Sequence, residues 1–236
     1  MKRLLFAMAL IAVLAAPALA DKPIVNSTDT SIRVECGLES VCWTWDGSFT
    51  AETCDGGGAP VWQYGTATGI PTVDCDGNAI GNVLGTILAG NYPNDAGERA
   101  VLGGSFTVSE TCNLLEICHY YDTENSYDGC NVEIYAGGSY TVVAPAGGYP
   151  DDLISDSTTY YAWCVDNQPG FTDGPVGFVK DCFDLSAFMG QTVSVAVKFG
   201  SDSSVQYPGW YIASAMAGST LVPTEDSSWS TIKTLY

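Results

Sequence analysis

Apolar and polar residues alternate along many short stretches of this chain, most clearly within residues 115–134. An acidic loop interrupts this stretch, and the alternation resumes on its far side. A period of two is typical of a half-buried antiparallel strand, so the stretch predicts a β-hairpin with an acidic tip. The positions predicted to face inward are Leu115, Ile117, His119, Tyr121, Val132 and Ile134.

Similar stretches recur through the rest of the chain. Residues 192–199 (TVSVAVKF) alternate clearly, and residues 139–144 and 210–216 follow the same pattern. Gly, Pro and Asp clusters separate these stretches, and helix signals are almost absent. Many short strands between turns indicate an all-β fold, namely a jelly-roll or concanavalin-like antiparallel β-sandwich.

The first residues have the features of a targeting segment. Lys2 and Arg3 precede an apolar run that ends in Ala18-Leu19-Ala20. This order is typical of a secretory signal peptide, and the run is too short for a stable membrane span. We therefore expect a signal peptide over residues 1–20 and a secreted product at an extracellular, periplasmic or cell-surface location. Beyond it we expect N-terminal strands and a lead-in over 21–60, a sandwich over 61–222, and a C-terminal tail over 223–236.

The charge of the chain excludes one class of partner. Its formal charge is −19, which becomes −21 without Lys2 and Arg3. Such a surface repels nucleic acid and favours solubility and cation binding. We expect no nucleic-acid partner and no membrane span.

Nine cysteines in an exported chain predict disulfides, with one cysteine left over. The expected pairs join residues close in sequence. Cys118 and Cys130 fall on opposite phases of their strands, which argues against a bond between them. The expected pairs are Cys164 with Cys182, Cys54 with Cys75, and Cys36 with Cys42.

The chain has no catalytic signature. His119 is its single histidine, so an H-E-x-x-H zinc site is absent. Its position between Ile117 and Tyr121 favours a hydrogen-bonded core histidine over a catalytic base. We expect a non-enzymatic protein.

Characteristic phrases lie, in order, within residues 62–65 (WQYG), 88–104, 114–138 and 182–212. Together they resemble the MAM-like jelly-roll module of immune inhibitor A-type secreted metallopeptidases, without the peptidase domain. The resemblance implies the same sandwich and a structural calcium ion. In that family the GWYI phrase continues with two aspartates, whereas Ala213 and Ser214 follow here, so one carboxylate is missing. Cys130 stands where the family has a glycine, which suggests a disulfide in place of another constraint.

The acidic tip carries the candidate metal ligands Asp122, Glu124 and Asp128. Calcium takes six to eight oxygen ligands, and a turn with three carboxylates offers several of them. The alternative is that these are solvated turn residues. A catalytic carboxylate pair is a third possibility, and the weakest of the three.

Exposed aromatic residues are the other candidate site. Tyr160, Tyr161 and Trp163 lie in an aromatic run that could stack on a glycan, although filling the core is the simpler explanation. The sequence therefore predicts a secreted, non-catalytic binding or structural module, with a glycan or an extracellular protein as partner. The alternatives are a carbohydrate-binding module or an accessory domain of a glycoside or peptide hydrolase.

Overall fold

Two antiparallel β-sheets face each other across one hydrophobic core in the computed structural model of this protein. The structure describes residues 36–54, 58–152 and 164–220, which all belong to one unit, residues 31–236. The predicted signal peptide and C-terminal tail lie outside the described residues. The predicted all-β sandwich is confirmed.

Fourteen strands and one short 3-10 helix make up the described part of the chain. In chain order they are β1 (Ser40–Thr44), β2 (Phe49–Thr53), β3 (Gln63–Gly65), β4 (Val83–Gly85), β5 (Gly97–Leu102), β6 (Phe106–Thr107), β7 (Leu114–Asp122), β8 (Gly129–Ala136), β9 (Ser139–Val143), β10 (Asp151–Asp152), β11 (Pro169–Gly170), β12 (Val179–Asp184), the 3-10 helix (Ser186–Phe188), β13 (Thr192–Gly200) and β14 (Gly209–Ser219).

The first sheet has the order β12-β7-β14-β4-β3, and β1 also pairs with β14. The second sheet has the order β2-β5-β13-β8-β9, and β6 also pairs with β13. Strands β10 and β11 form a small separate ladder. The three longest strands, β7, β13 and β14, all lie between two neighbouring strands of their sheets.

Strand alternation builds the core as the sequence predicts. The six inward positions of residues 115–134 are all buried, and so are Val195, Val197 and Trp210 from β13 and β14. Each large apolar side chain buried in this way contributes roughly 1.5–3 kcal/mol. The outward positions of the same strands are left to carry polar groups.

The predicted hairpin is wrong, although its inward phases are right. Strand β7 lies between β12 and β14 in the first sheet, whereas β8 lies between β13 and β9 in the second. Residues 123–128 therefore cross from one sheet to the other. Six residues are also more than a tight hairpin turn needs.

Strands β1 and β2 are integral parts of the sandwich. Strand β1 pairs with the end of β14, and β2 pairs with β5 along its whole length. Both strands precede residue 61, where the sequence analysis placed the start of the sandwich. The sheets therefore continue across that boundary.

All six cysteines assigned to disulfides form them, but the predicted pairing is wrong. Each bond joins residues at least 43 positions apart, because neighbouring strands in this topology come from distant parts of the chain. The expected local pairs would have needed adjacent strands joined by short loops. The bonds are Cys36–Cys182, Cys42–Cys112, Cys54–Cys164 and Cys75–Cys118.

Cys130 is the free cysteine, and it lies fully inside the core. The expectation that it forms a disulfide is therefore wrong, whereas the argument against a Cys118–Cys130 bond is confirmed. Four disulfides are typical of proteins that fold in an oxidising compartment outside the cytoplasm. Among the described residues, no helix has the length and apolar character required to cross a membrane.

Candidate functional site

Three carboxylates meet where the connection from β7 to β8 approaches the end of β13. One oxygen each from Glu124, Asp128 and Asp202 lies within 4.8 Å of the others. The register of β8 on β13 pairs Gly129 with Gly200, which brings Asp128 and Asp202 together. We call these three residues the acidic cluster.

Asp128 and Asp202 of the acidic cluster are buried and Glu124 is half-buried, and no basic side chain of the described residues compensates their charge. Asp128 accepts hydrogen bonds from the Tyr92 hydroxyl at 2.6 Å and from the Asp202 backbone N–H at 2.7 Å. Burial, together with the charges of Asp202 and Glu124, raises the pKa of Asp128 to about 7 despite these bonds. Burial and the Asp202 charge also raise the pKa of Glu124. Within the described part of the chain, no basic side chain forms an ion pair with any of the three.

Four buried oxygens in and beside the acidic cluster lack a hydrogen-bond partner. They are Glu124 Oε2, Asp202 Oδ2, Thr123 Oγ1 and Asn94 Oδ1. Buried polar atoms are normally satisfied, and a hard cation that takes six to eight oxygens would satisfy several at once. The residues present therefore fit a calcium ion, with the three carboxylates as its principal ligands.

Two of the three predicted metal ligands, Glu124 and Asp128, belong to the acidic cluster. Asp122 does not, because it ends β7 on the outward phase, where Tyr120 donates a hydrogen bond to it at 3.5 Å. Asp202 stands in its place. The sequence analysis missed Asp202 because only the pairing of β8 with β13 brings it to this position.

A second group of charges lines a cavity on the outer face of the second sheet. The cavity has a volume of about 560 Å³, and we call it the polar pocket. Its wall is formed by the Cys54–Cys164 disulfide and the side chains of Arg99, Glu133, Tyr140, Asp166, Gln168 and Lys198.

Three of the charges in the polar pocket, those of Arg99, Glu133 and Lys198, are paired with one another. Glu133 accepts from Arg99 Nε at 2.6 Å through one oxygen and from Lys198 Nζ at 2.7 Å through the other. Lys198 also donates to Gln168 Oε1 at 2.7 Å. Glu133 is 4% exposed and Lys198 is 3% exposed, so the pair is buried and well satisfied.

Two aromatic rings extend the polar pocket along the outer face. The Arg99 guanidinium lies 3.8 Å from the centre of the Tyr140 ring, and the Tyr140 hydroxyl donates to Glu52 at 2.7 Å. Tyr135 lies opposite Tyr140 on the next strand, with the ring centres 4.8 Å apart. Tyr135 is 39% exposed, so it offers a ring face to solvent.

The aromatic residues predicted to bind a ligand, Tyr160, Tyr161 and Trp163, lie outside the described residues. The sequence analysis did not identify Arg99, Glu133 and Lys198. Their only signal was a charge on the outward phase of a predicted strand, and such charges are ordinary on a solvated sheet face. The burial and pairing of these charges arise from the tertiary structure.

His119 is a hydrogen-bonded core histidine, as predicted. Trp210 Nε1 donates to His119 Nδ1 at 2.8 Å, so Nε2 carries the proton and donates to Asp181 at 2.8 Å. Both ring nitrogens are therefore engaged in the interior, and the ring is fully buried. The imidazole of His119 in β7 is therefore linked to Asp181 in β12 and to Trp210 in β14.

Comparison with known proteins gives limited similarity. No family model matches the chain. Bacillopeptidase F from Bacillus subtilis (strain 168) is 26% identical over 152 residues, which cover 64% of this chain and 9% of that protein. The chain therefore spans a small part of the length of this curated relative.

A similar solved structure is the Spr0440 glycoside hydrolase domain, Endo-D, from Streptococcus pneumoniae R6. It has a TM-score of 0.33 and 16% identity, and the match covers 75% of this chain and 21% of that one. The assignment to MAM-like modules stays a prediction. The chain is thus a disulfide-bonded β-sandwich with weak similarity to a part of Bacillopeptidase F.

Proposed function

We propose that this chain is a non-catalytic binding module that acts outside the cytoplasm. In this proposal the polar pocket is its ligand site, and the acidic cluster holds a structural calcium ion. The polar pocket is the observation that carries the proposal. Its volume of about 560 Å³ lies within the range of known ligand sites.

Burial of charges on a sheet's outer face supports a binding site. An ordinary outer face leaves its charges in water, where pairing adds little. Here Glu133 and Lys198 line a concavity, are buried, and are held by a direct hydrogen bond between them. Fixed polar groups in a preformed cavity are the usual basis of ligand orientation and specificity.

The geometry of the acid–base groups supports a non-catalytic role. Both oxygens of Glu133 are held by cations, so it is poorly placed to accept a proton from a substrate. Asp128, whose pKa is raised to about 7, lies fully buried rather than in the polar pocket. His119 is engaged on both ring nitrogens.

A calcium ion held by Glu124, Asp128 and Asp202 would neutralise their mutual repulsion. It would also tie the β7–β8 connection to the end of β13. Such an ion has a structural function. Secretion, with release outside the cell or display on its surface, accords with the four disulfides and with the predicted signal peptide.

A binding screen tests the proposed function. The purified, oxidised protein is screened by ligand-observed NMR against soluble polysaccharides and extracellular matrix proteins, with calcium or with chelator. We expect a ligand whose binding is lost in Tyr140→Ala, which opens the pocket wall, and kept in Tyr207→Ala, which alters an exposed tyrosine elsewhere. Chemical turnover of a bound ligand, or binding that is unchanged in Tyr140→Ala, would contradict the proposal.

A further inference from the structure

We propose that the polar pocket binds a neutral, hydroxyl-rich ligand, namely a sugar unit of an uncharged glycan. This inference rests on the proposed function, because it names the ligand class of the same site. Three features of the pocket carry it: its charge balance, its free hydrogen-bonding groups and its exposed aromatic neighbour.

The described side chains that line the pocket are electrically balanced. Among them, Arg99 and Lys198 supply two positive charges, and Glu133 and Asp166 supply two negative ones. An anionic ligand would be repelled by the two carboxylates and by a chain of formal charge −19. A cationic ligand would meet Arg99 and Lys198 at close range. Electrostatics therefore favours a ligand without net charge.

Hydrogen-bond donors and acceptors that are not fully used remain beside the Glu133–Lys198 pair. Asp166 Oδ1 is buried and has no hydrogen-bond partner. Arg99 uses its Nε for Glu133, and among the described residues its Nη1 has one carboxylate contact, with Glu52 at 4.0 Å. A hydroxyl both donates and accepts. A polyol can therefore donate to Asp166 and accept from Arg99, which neither a simple anion nor a simple cation can do.

An aromatic surface continues from the pocket. Tyr140 forms part of the wall, and Tyr135 stands next to it with 39% of its surface exposed. A sugar ring has an apolar face of C–H groups as well as its hydroxyls. Tyrosine offers a large apolar ring with a polar tip, which suits contact with such a ring. A glycan lying across Tyr135 could therefore place one unit in the polar pocket.

Isothermal titration of the purified protein tests the inference with named probes. The neutral probes are dextran, mannan, xylan and galactan, the anionic probe is heparin, and the cationic probe is polylysine. We expect one neutral polysaccharide to bind and heparin and polylysine not to bind at the pocket. The variants are Tyr135→Ala, which removes the exposed ring, and Asp166→Asn, which keeps the shape but removes the charged acceptor.

Each variant should lower the affinity for the neutral polysaccharide by about tenfold or more. Asp166→Asn loses a hydrogen bond to a charged group, and Tyr135→Ala loses a ring contact. The matched control is Tyr207→Ala, since Tyr207 is 38% exposed and outside the pocket wall; it should leave binding unchanged. Circular dichroism confirms that all three variants fold.

The remaining outcomes separate the two proposals. Polylysine binding that is weakened by Asp166→Asn, or heparin binding that is strengthened by it, would overturn the sugar assignment and leave the pocket as the binding site. A neutral polysaccharide that binds Tyr135→Ala and Asp166→Asn as tightly as it binds the wild type would overturn both proposals. Absence of binding by every probe would overturn the sugar inference, while the matrix-protein screen still tests the pocket.

Discussion

The two groups of buried charges differ in how their charge is compensated. In the polar pocket, Glu133 is held between Arg99 and Lys198. In the acidic cluster, Glu124, Asp128 and Asp202 face one another with no cation from the described residues. The first group is complete without a charged ligand, whereas the second is relieved only by a proton or a metal ion. The charge of a ligand therefore cannot be inferred from a buried charged side chain alone. The partners of that side chain within the protein must be counted first.

The largest expected effect comes from breaking the balanced pair. Lys198→Met leaves Glu133 buried with one cation fewer, and it should lower the free energy of unfolding by about 3–5 kcal/mol. Urea denaturation measures this loss. The double variant Lys198→Met, Glu133→Gln should recover part of the stability, because the buried charge is then removed. A loss below about 1 kcal/mol would mean that the pair is solvated.

The pH dependence of the acidic cluster should come next in size. Because the pKa of Asp128 is raised to about 7 in the folded state, that state keeps the proton between pH 4 and pH 7 while the unfolded state loses it. In chelator, the stability that protonated Asp128 contributes is therefore fully present below pH 4 and is lost as the pH rises to 7. The loss should reach up to about 4 kcal/mol.

Denaturation at several pH values in chelator measures this effect as the difference between the wild type and Asp128→Asn. The difference removes the contributions of other carboxylates. A flat difference between pH 4 and pH 7 would show that Asp128 is not perturbed by its neighbours.

Calcium should reverse the pH trend of the acidic cluster. Binding requires deprotonated carboxylates, so calcium affinity should rise as the pH passes 7. At a calcium concentration one hundred times the dissociation constant, the unfolding free energy should increase by about 2.7 kcal/mol. Thermal denaturation with calcium and with chelator measures it.

Asp202→Asn should abolish most of this calcium effect, and Asp122→Asn should leave it unchanged. Asp122 is the matched control, because it is a carboxylate from the same region that faces outward. Equal calcium responses in both variants would place the ion elsewhere.

The smallest effect is expected at Cys130, which lies in β8 between Asp128 and Glu133 along the chain. Burial raises the pKa of its thiol, so a thiol reagent should label it only after unfolding, and then at one site per chain. Cys130→Ala should lower the free energy of unfolding by about 1 kcal/mol and leave both the calcium response and the Lys198→Met loss unchanged. Rapid labelling of the native protein would contradict its burial.

The sequence predicted the sandwich class because strand alternation is a local property. The inward phases of β7 and β8 and the core position of His119 followed from spacing alone. Glu124 and Asp128 were found for a similar reason, since a short acidic connection is visible in sequence. None of these inferences required knowledge of which strands are neighbours.

The remaining features depend on which strands are neighbours in the sheets. The disulfides, the place of Asp202 and the pairing of Lys198 with Glu133 all depend on contacts between distant parts of the chain. Alternation specifies which face of a strand is buried, but it does not specify the partner strand or the register. The sequence by itself therefore determined an acidic β-sandwich with a carboxylate-rich connection after β7, and it predicted export. Only the tertiary structure decided which charges are balanced, because that balance is set by side chains that meet across the sheets.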